Sequence, residues 1–116
     1  MPQNSLSVKL KIKNSSDQVL TKTYQDSYQM DEWNFPDTIT AGQTVNLTVS
    51  LRNDPDIDLS EDFGKVRYRT ADNLGELKIL AYWLYFNFSS VGRTVQLSPK
   101  GNVEIIEGDT VNLTIS

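Results

Sequence analysis

The densest set of side chains that could do chemistry lies in RNDPDIDLSEDFG, where Asp54, Asp56, Asp58, Glu61 and Asp62 crowd carboxylate oxygens into one short segment. Hard oxygen donors of this kind suit Ca²⁺. An EF-hand loop begun at Asp54 needs Gly at its sixth position and Glu at its twelfth, and this chain has Leu59 and Lys65 there. A formal EF-hand is therefore excluded. No metal site is expected; a looser calcium loop would draw on Asp54, Asp56 and Asp58, against the plainer reading of a solvated acidic turn. A carboxylate pair for glycoside cleavage fares no better, because two acids on one short loop are poorly placed to flank a sugar.

The remaining catalytic inventory is thin. There is no histidine and no cysteine, which removes the commonest general base, the commonest metal ligand, the thiolate nucleophile and any disulfide. No GxSxG stretch or Gly-rich phosphate loop occurs. The chain reads as non-enzymatic and without a cofactor. A net charge of −4 opposes a broad electrostatic footprint for nucleic acid, so no nucleic-acid partner is expected.

Binding residues are easier to find. Lys9, Lys11 and Lys13 form one outward basic row, and Lys65, Arg67 and Arg69 form another. Like charges directly opposed across a ladder destabilise it, so the two rows should not face each other. They read as solubilising charge or as contacts for phosphate or anionic head groups. Aromatic residues gather in YQDSYQMDEWNFPD, with Tyr24, Tyr28, Met30, Trp33 and Phe35, and again in LAYWLYFNFSSVG. Tyrosine and tryptophan join an apolar body to a polar tip, which suits a lipid interface as well as a core edge.

The elements that must carry these residues are strands. In SLSVKLKIK, Leu6, Val8, Leu10 and Ile12 alternate with polar residues, and TVNLTVSLR, KVRYRTA and TVNLTIS repeat that period of two. Turn signals separate the runs: KNSSDQ, FPDTITAGQ, RNDPDID, TADNLGE, SPKGN and EGD. One-sided sheets must hide their apolar faces against each other, so residues 1–116 read as an all-β, single-domain antiparallel β-sandwich, with an up-and-down barrel as the alternative. The near repeat GQTVNLTVS and GDTVNLTIS reads as two strands entered from Gly turns. Four N-x-[ST] sequons, at Asn14, Asn46, Asn87 and Asn112, read as chance in an Asn- and Thr-rich chain.

The segment GELKILAYWLYFNF carries a conflict of phase. Leu77 and Ile79 set odd positions inward, whereas Leu84, Phe86 and Phe88 set even positions inward. A strand cannot do both without an extra residue, which predicts a β-bulge or break near Leu80 to Tyr82. Trp83 and Tyr85 would then point away from the core. No apolar run approaches the roughly 20 residues of a membrane-spanning helix, and MPQNSLSVKLKIKN has no apolar h-region, so it does not read as a signal peptide. The compartment stays open, and any membrane contact falls to a folded surface.

Taken in order, VKLKIKN, SSDQVL, EWNFPDTITAGQTVNL, FGKVRYR and WLYFNFSSVGR resemble the aegerolysin family, including the small components of bacterial binary insecticidal proteins. Gly42, Gly64, Tyr68, Phe86, Asn87 and Gly92 match its loose motifs; Phe88 stands where many relatives have proline, and the acidic DPDIDLSED replaces a more Gly-rich loop. The resemblance implies a small β-sandwich that binds membrane lipid head groups, acts extracellularly at a target membrane, and works with a larger pore-forming partner protein. Trp33 would be its surface aromatic. Trp83 and Tyr85 join it from the phase argument, with Tyr28 and Phe35 from the irregular aromatic stretch. A lectin-like or protein-interaction sandwich, with or without calcium, is the alternative.

Overall fold

The computed structural model describes residues 5–92 and 95–116; Met1 to Asn4, where the N-terminal reading began, and Arg93, at the end of the matched aromatic stretch, lie outside them. Among the described residues eleven strands follow in chain order: β1 (Leu6–Asn14), β2 (Leu20–Asp26), β3 (Met30–Glu32), β4 (Thr38–Ile39), β5 (Thr44–Leu51), β6 (Gly64–Thr70), β7 (Gly75–Tyr82), β8 (Tyr85–Gly92), β9 (Leu97–Ser98), β10 (Gly101–Glu104) and β11 (Thr110–Ile115). They form a five-stranded sheet ordered β3-β5-β1-β11-β9 and a six-stranded sheet ordered β10-β8-β7-β6-β2-β4. All pairings are antiparallel except β1 with β11, which is parallel. This is the expected sandwich, with Leu10, Ile12, Val49 and Leu51 of one sheet and Val66, Tyr68, Ile79, Phe86 and Phe88 of the other buried in the core.

All four edge strands, β3, β9, β10 and β4, are only two to four residues long. Short edges limit the row of unpaired backbone groups open to another chain. The two TVNLT runs flank β1 on either side and are entered by matching turns. In each the fourth residue donates its N–H to the first carbonyl, Gln43 to Thr40 and Asp109 to Ile106, and the third residue, Gly42 or Gly108, has φ of 81°. That pattern is a type II turn, in which an L side chain at the third position would be strained. The near repeat is thus one turn-and-strand grammar used twice.

The phase switch in GELKILAYWLYFNF is present, but a hairpin makes it. Leu77, Ile79 and Ala81 point into the core on β7, Phe86 and Phe88 do so on β8, and Tyr82 pairs with Tyr85 across a turn of Trp83 and Leu84. No bulge occupies Leu80 to Tyr82. Leu84, expected in the core, sits at the turn with φ of 73° and is 45% exposed. The bulges that do occur are between Lys22 and Tyr24 of β2 and between Met30 and Glu32 of β3.

Candidate aromatic rim

The register of the sheets brings five segments to one end of the sandwich. β6 begins at Gly64 opposite Ala81, so the β7–β8 turn lies beside the end of the acidic loop. Asp26 ends β2 opposite Lys65, and the Gln29 N–H reaches the Phe63 carbonyl at 2.8 Å, which places Tyr28 there too. The Ile105 N–H donates to the Leu84 carbonyl at 2.8 Å and brings Ile106 alongside. Exposed apolar side chains collect on this rim: Tyr28 at 52%, Leu59 at 61%, Leu84 at 45% and Ile106 at 49%. The opposite end exposes Val19, Leu74 and Val91, and no aromatic ring.

The predicted aromatics divide sharply. Trp33 is only 3% exposed and Phe35 is equally buried, so Trp33 is not the surface aromatic the aegerolysin resemblance implied, and Phe35 is not the exposed ring expected from the irregular aromatic stretch. The chain from β3 to β4 crosses from one sheet to the other and turns both rings inward to close the side of the core. They meet edge to face at 4.7 Å, and the Trp33 indole N–H donates to the Lys65 carbonyl at 3.0 Å. Gly64 makes the room: a Cβ there would lie 2.8 Å from Met30 Cγ and 2.9 Å from the Trp33 ring. Trp83 does not point away from the core either. It half-buries over the core's end, 5.8 Å from the Phe63 ring.

Tyr85 does point outward, and its half-burial comes from stacking on Tyr82 at 4.9 Å. Tyr28 is the most open of the predicted set, and its hydroxyl donates to the Glu61 carboxylate at 3.0 Å. That bond raises the Tyr28 pKa above its ordinary value, while partial burial, followed by the charge of Asp62, raises that of Tyr82. Both phenols therefore stay neutral donors under physiological conditions. Tyr82, Leu84, Leu59 and Ile106 were absent from the sequence reading of the site. A tight turn recognised in YWLY would have found the first two.

The acidic loop borders this rim, and its own turns engage Asp54 and Asp58. The Asp54 carboxylate takes Arg52 at 3.1 Å and the Asp56 N–H at 2.9 Å. Asp58 accepts from the Ser60 hydroxyl at 2.6 Å and from its N–H at 2.9 Å, bonds that hold its pKa below the ordinary carboxylate value. Among the described residues, no three acidic side chains converge as a cation would require. Of the calcium candidates, Asp54 and Asp58 thus act as turn acceptors and Asp56 contributes its backbone N–H, and the three leave the rim fringed with negative charge.

The two basic rows occupy different sheets, as their repulsion demanded. On the outer face of the six-stranded sheet, Arg69 pairs with Glu76 at 3.4 Å, and Arg67 and Lys65 lie over the Tyr24 ring at 4.8 and 5.9 Å. Among the described residues Arg69 alone of that row has a carboxylate partner, and Lys78 stands opposite Arg67 in register. No family model matches the chain, and no curated protein matches it.

Proposed function

We propose that this protein is a non-enzymatic membrane-binding module that meets zwitterionic or neutral lipid head groups through the rim of Tyr28, Leu59, Leu84 and Ile106, with Tyr82 and Tyr85 beside it. The observation that carries the reading is the gathering of these exposed apolar groups at one end of an elongated sandwich. Interfacial binding scales with the apolar area inserted plus electrostatic attraction. Here the second contribution is repulsive for anionic lipid, because Asp58, Glu61 and Asp62 fringe the tip and the chain carries −4 overall. The aegerolysin resemblance points to the same lipid-binding class.

Magnitude favours a component over a self-sufficient toxin. Burying the open half of each of four side chains is worth about 1 kcal/mol apiece, or about 4 kcal/mol in all. That corresponds to attachment near the millimolar range. Stable residence then requires several copies or a larger pore-forming partner, since linked weak contacts multiply.

Sedimentation with phosphatidylcholine, sphingomyelin–sterol and phosphatidylserine vesicles tests the reading. Binding to the first two, reduced in a Tyr82→Ser/Tyr85→Ser variant that melts normally, is the expected result. Failure to bind any of the three mixtures would refute it. Iodide quenching gives a second check: vesicles should shield Trp83 and leave the already inaccessible Trp33 unchanged.

A further inference from the structure

We infer that the outer face of the five-stranded sheet is a separate binding surface for a linear anionic polysaccharide, one bearing sulfates or uronic carboxylates. The strand order builds this face around Lys9, Lys11 and Lys13. Each lysine lies between one residue of β5 and one of β11: Thr48 and Thr110 about Lys9, Asn46 and Asn112 about Lys11, Thr44 and Thr114 about Lys13. A central column of charge thus runs between two columns of hydroxyl and carboxamide groups supplied by the two TVNLT runs. At about 3.3 Å per residue the lysine side chains leave the strand roughly every 6.6 Å, a row of about 13 Å at the backbone.

The three lysines are exposed and, among the described residues, none has a carboxylate within ion-pair distance. The acids closest in register lie at one end of the column: Asp109 precedes Thr110 and its carbonyl takes the Lys9 N–H at 2.9 Å, Glu32 accepts from the Ser50 hydroxyl at 3.0 Å, and Glu107 from the Ser7 N–H at 3.1 Å. The second basic row has different neighbours: Arg69 meets Glu76, Arg67 and Lys65 lie over the Tyr24 ring, and Lys78 stands opposite Arg67. A like-charged row held in line on an acidic protein is unfavourable by itself, so an anionic occupant is favoured here.

The neighbours decide which polyanion. No aromatic side chain stands in the three columns, so they offer no stacking platform for exposed bases. No apolar side chain projects from them either, so they have nothing to insert into a membrane, and they lie along the strands and not at the tip. What they offer is charge flanked by hydroxyl and amide groups on an open face, with a shallow cleft lined by Lys9, Lys11, Asn46, Thr48 and Thr110 and floored by Leu10 and Leu47. Hydroxyl-rich chains with regularly spaced anions match both features.

Titration of the full chain with a heparin hexasaccharide, with neutral dextran as control, tests the inference independently of the lipid reading. Expected is binding that weakens at least tenfold in Lys9→Gln/Lys11→Gln/Lys13→Gln, with the slope of log affinity against log salt falling by about one per lysine removed. Lys78→Gln, on the other sheet, should leave binding unchanged, and Asn46→Ala/Asn112→Ala should weaken it severalfold. Zwitterionic-vesicle binding should be the same in every lysine variant. No heparin binding at low salt, binding insensitive to the triple substitution, or binding insensitive to loss of the two asparagines would each overturn the inference. So would a preference for phosphatidylserine vesicles or single-stranded DNA that the same lysines control.

Discussion

Replacing Leu84 by glycine should make the protein slightly more stable and a weaker membrane binder. Leu84 holds φ of 73° at the tip of the β7–β8 hairpin, a left-handed conformation that costs an L side chain roughly 1–2 kcal/mol. Glycine adopts it freely but gives back roughly 0.4–1 kcal/mol through a more disordered unfolded state. The net gain is about 0.5 kcal/mol. With an unfolding entropy of about 2.1 cal/mol/K per residue over 116 residues, 1 kcal/mol moves Tm by about 4 °C, so the melt should rise by about 2 °C. Binding moves the other way. With 45% of Leu84 open to solvent, inserting it is worth about 1 kcal/mol, and its loss should lower the vesicle partition coefficient about fivefold. Both quantities are read from one preparation, by thermal melt and by sedimentation with phosphatidylcholine vesicles. Destabilisation by more than 1 kcal/mol would mean that Leu84 packs for the fold and its backbone is not strained. An unchanged partition coefficient would mean that the rim does not enter the interface.

Gly64→Ala places a methyl within 3.0 Å of Met30 and Trp33; it should cost about 1–3 kcal/mol by urea unfolding and shift tryptophan emission as the ring is displaced. Asn14→Ala should cost on the order of 3 kcal/mol in the same assay. The buried Asn14 amide donates to the carbonyls of Gln18, Ile39 and Thr40 and accepts twice from Ser16, and alanine leaves these groups unpaired. Burial, followed by the charge of Asp37, pushes the Tyr68 hydroxyl far above its ordinary value of 10.0. The unfolded chain therefore loses this proton first, and the tyrosine's contribution is complete below about pH 10 and declines as pH rises further. Urea midpoints from pH 8 to 11.5 should fall less steeply in Tyr68→Phe, from a lower starting value because the Pro36 carbonyl loses its donor.

What the sequence revealed depended on how local the cause was. The strands β1, β5, β6 and β11 follow from alternation that each segment carries within itself, and so does the change of phase between Ile79 and Phe86. The turn that makes the change was hidden, because Trp83 and Leu84 are not turn formers and the positive φ falls on a leucine where glycine or asparagine is usual. Trp33 and Phe35 were misplaced for a different reason. Trp33 fills the space left by the missing side chain of Gly64, some thirty residues away, and Phe35 packs on Trp33 in turn, which no local pattern records. The two basic rows look alike as text. Only the strand order sets one beside Tyr24 and Glu76 and the other between two columns of threonine and asparagine.

The parallel pairing of β1 with β11 also orders events in time. Lys9 to Asn14 find half their ladder partners in Thr110 to Ile115, so the earliest strand in the chain stays unfinished until nearly a hundred further residues have been made. During synthesis at about 5–20 residues per second, β1 and β5 would stand as an open pair for seconds. Closing so long a loop places this protein among slow, topology-limited folders, with refolding on the millisecond-to-second scale.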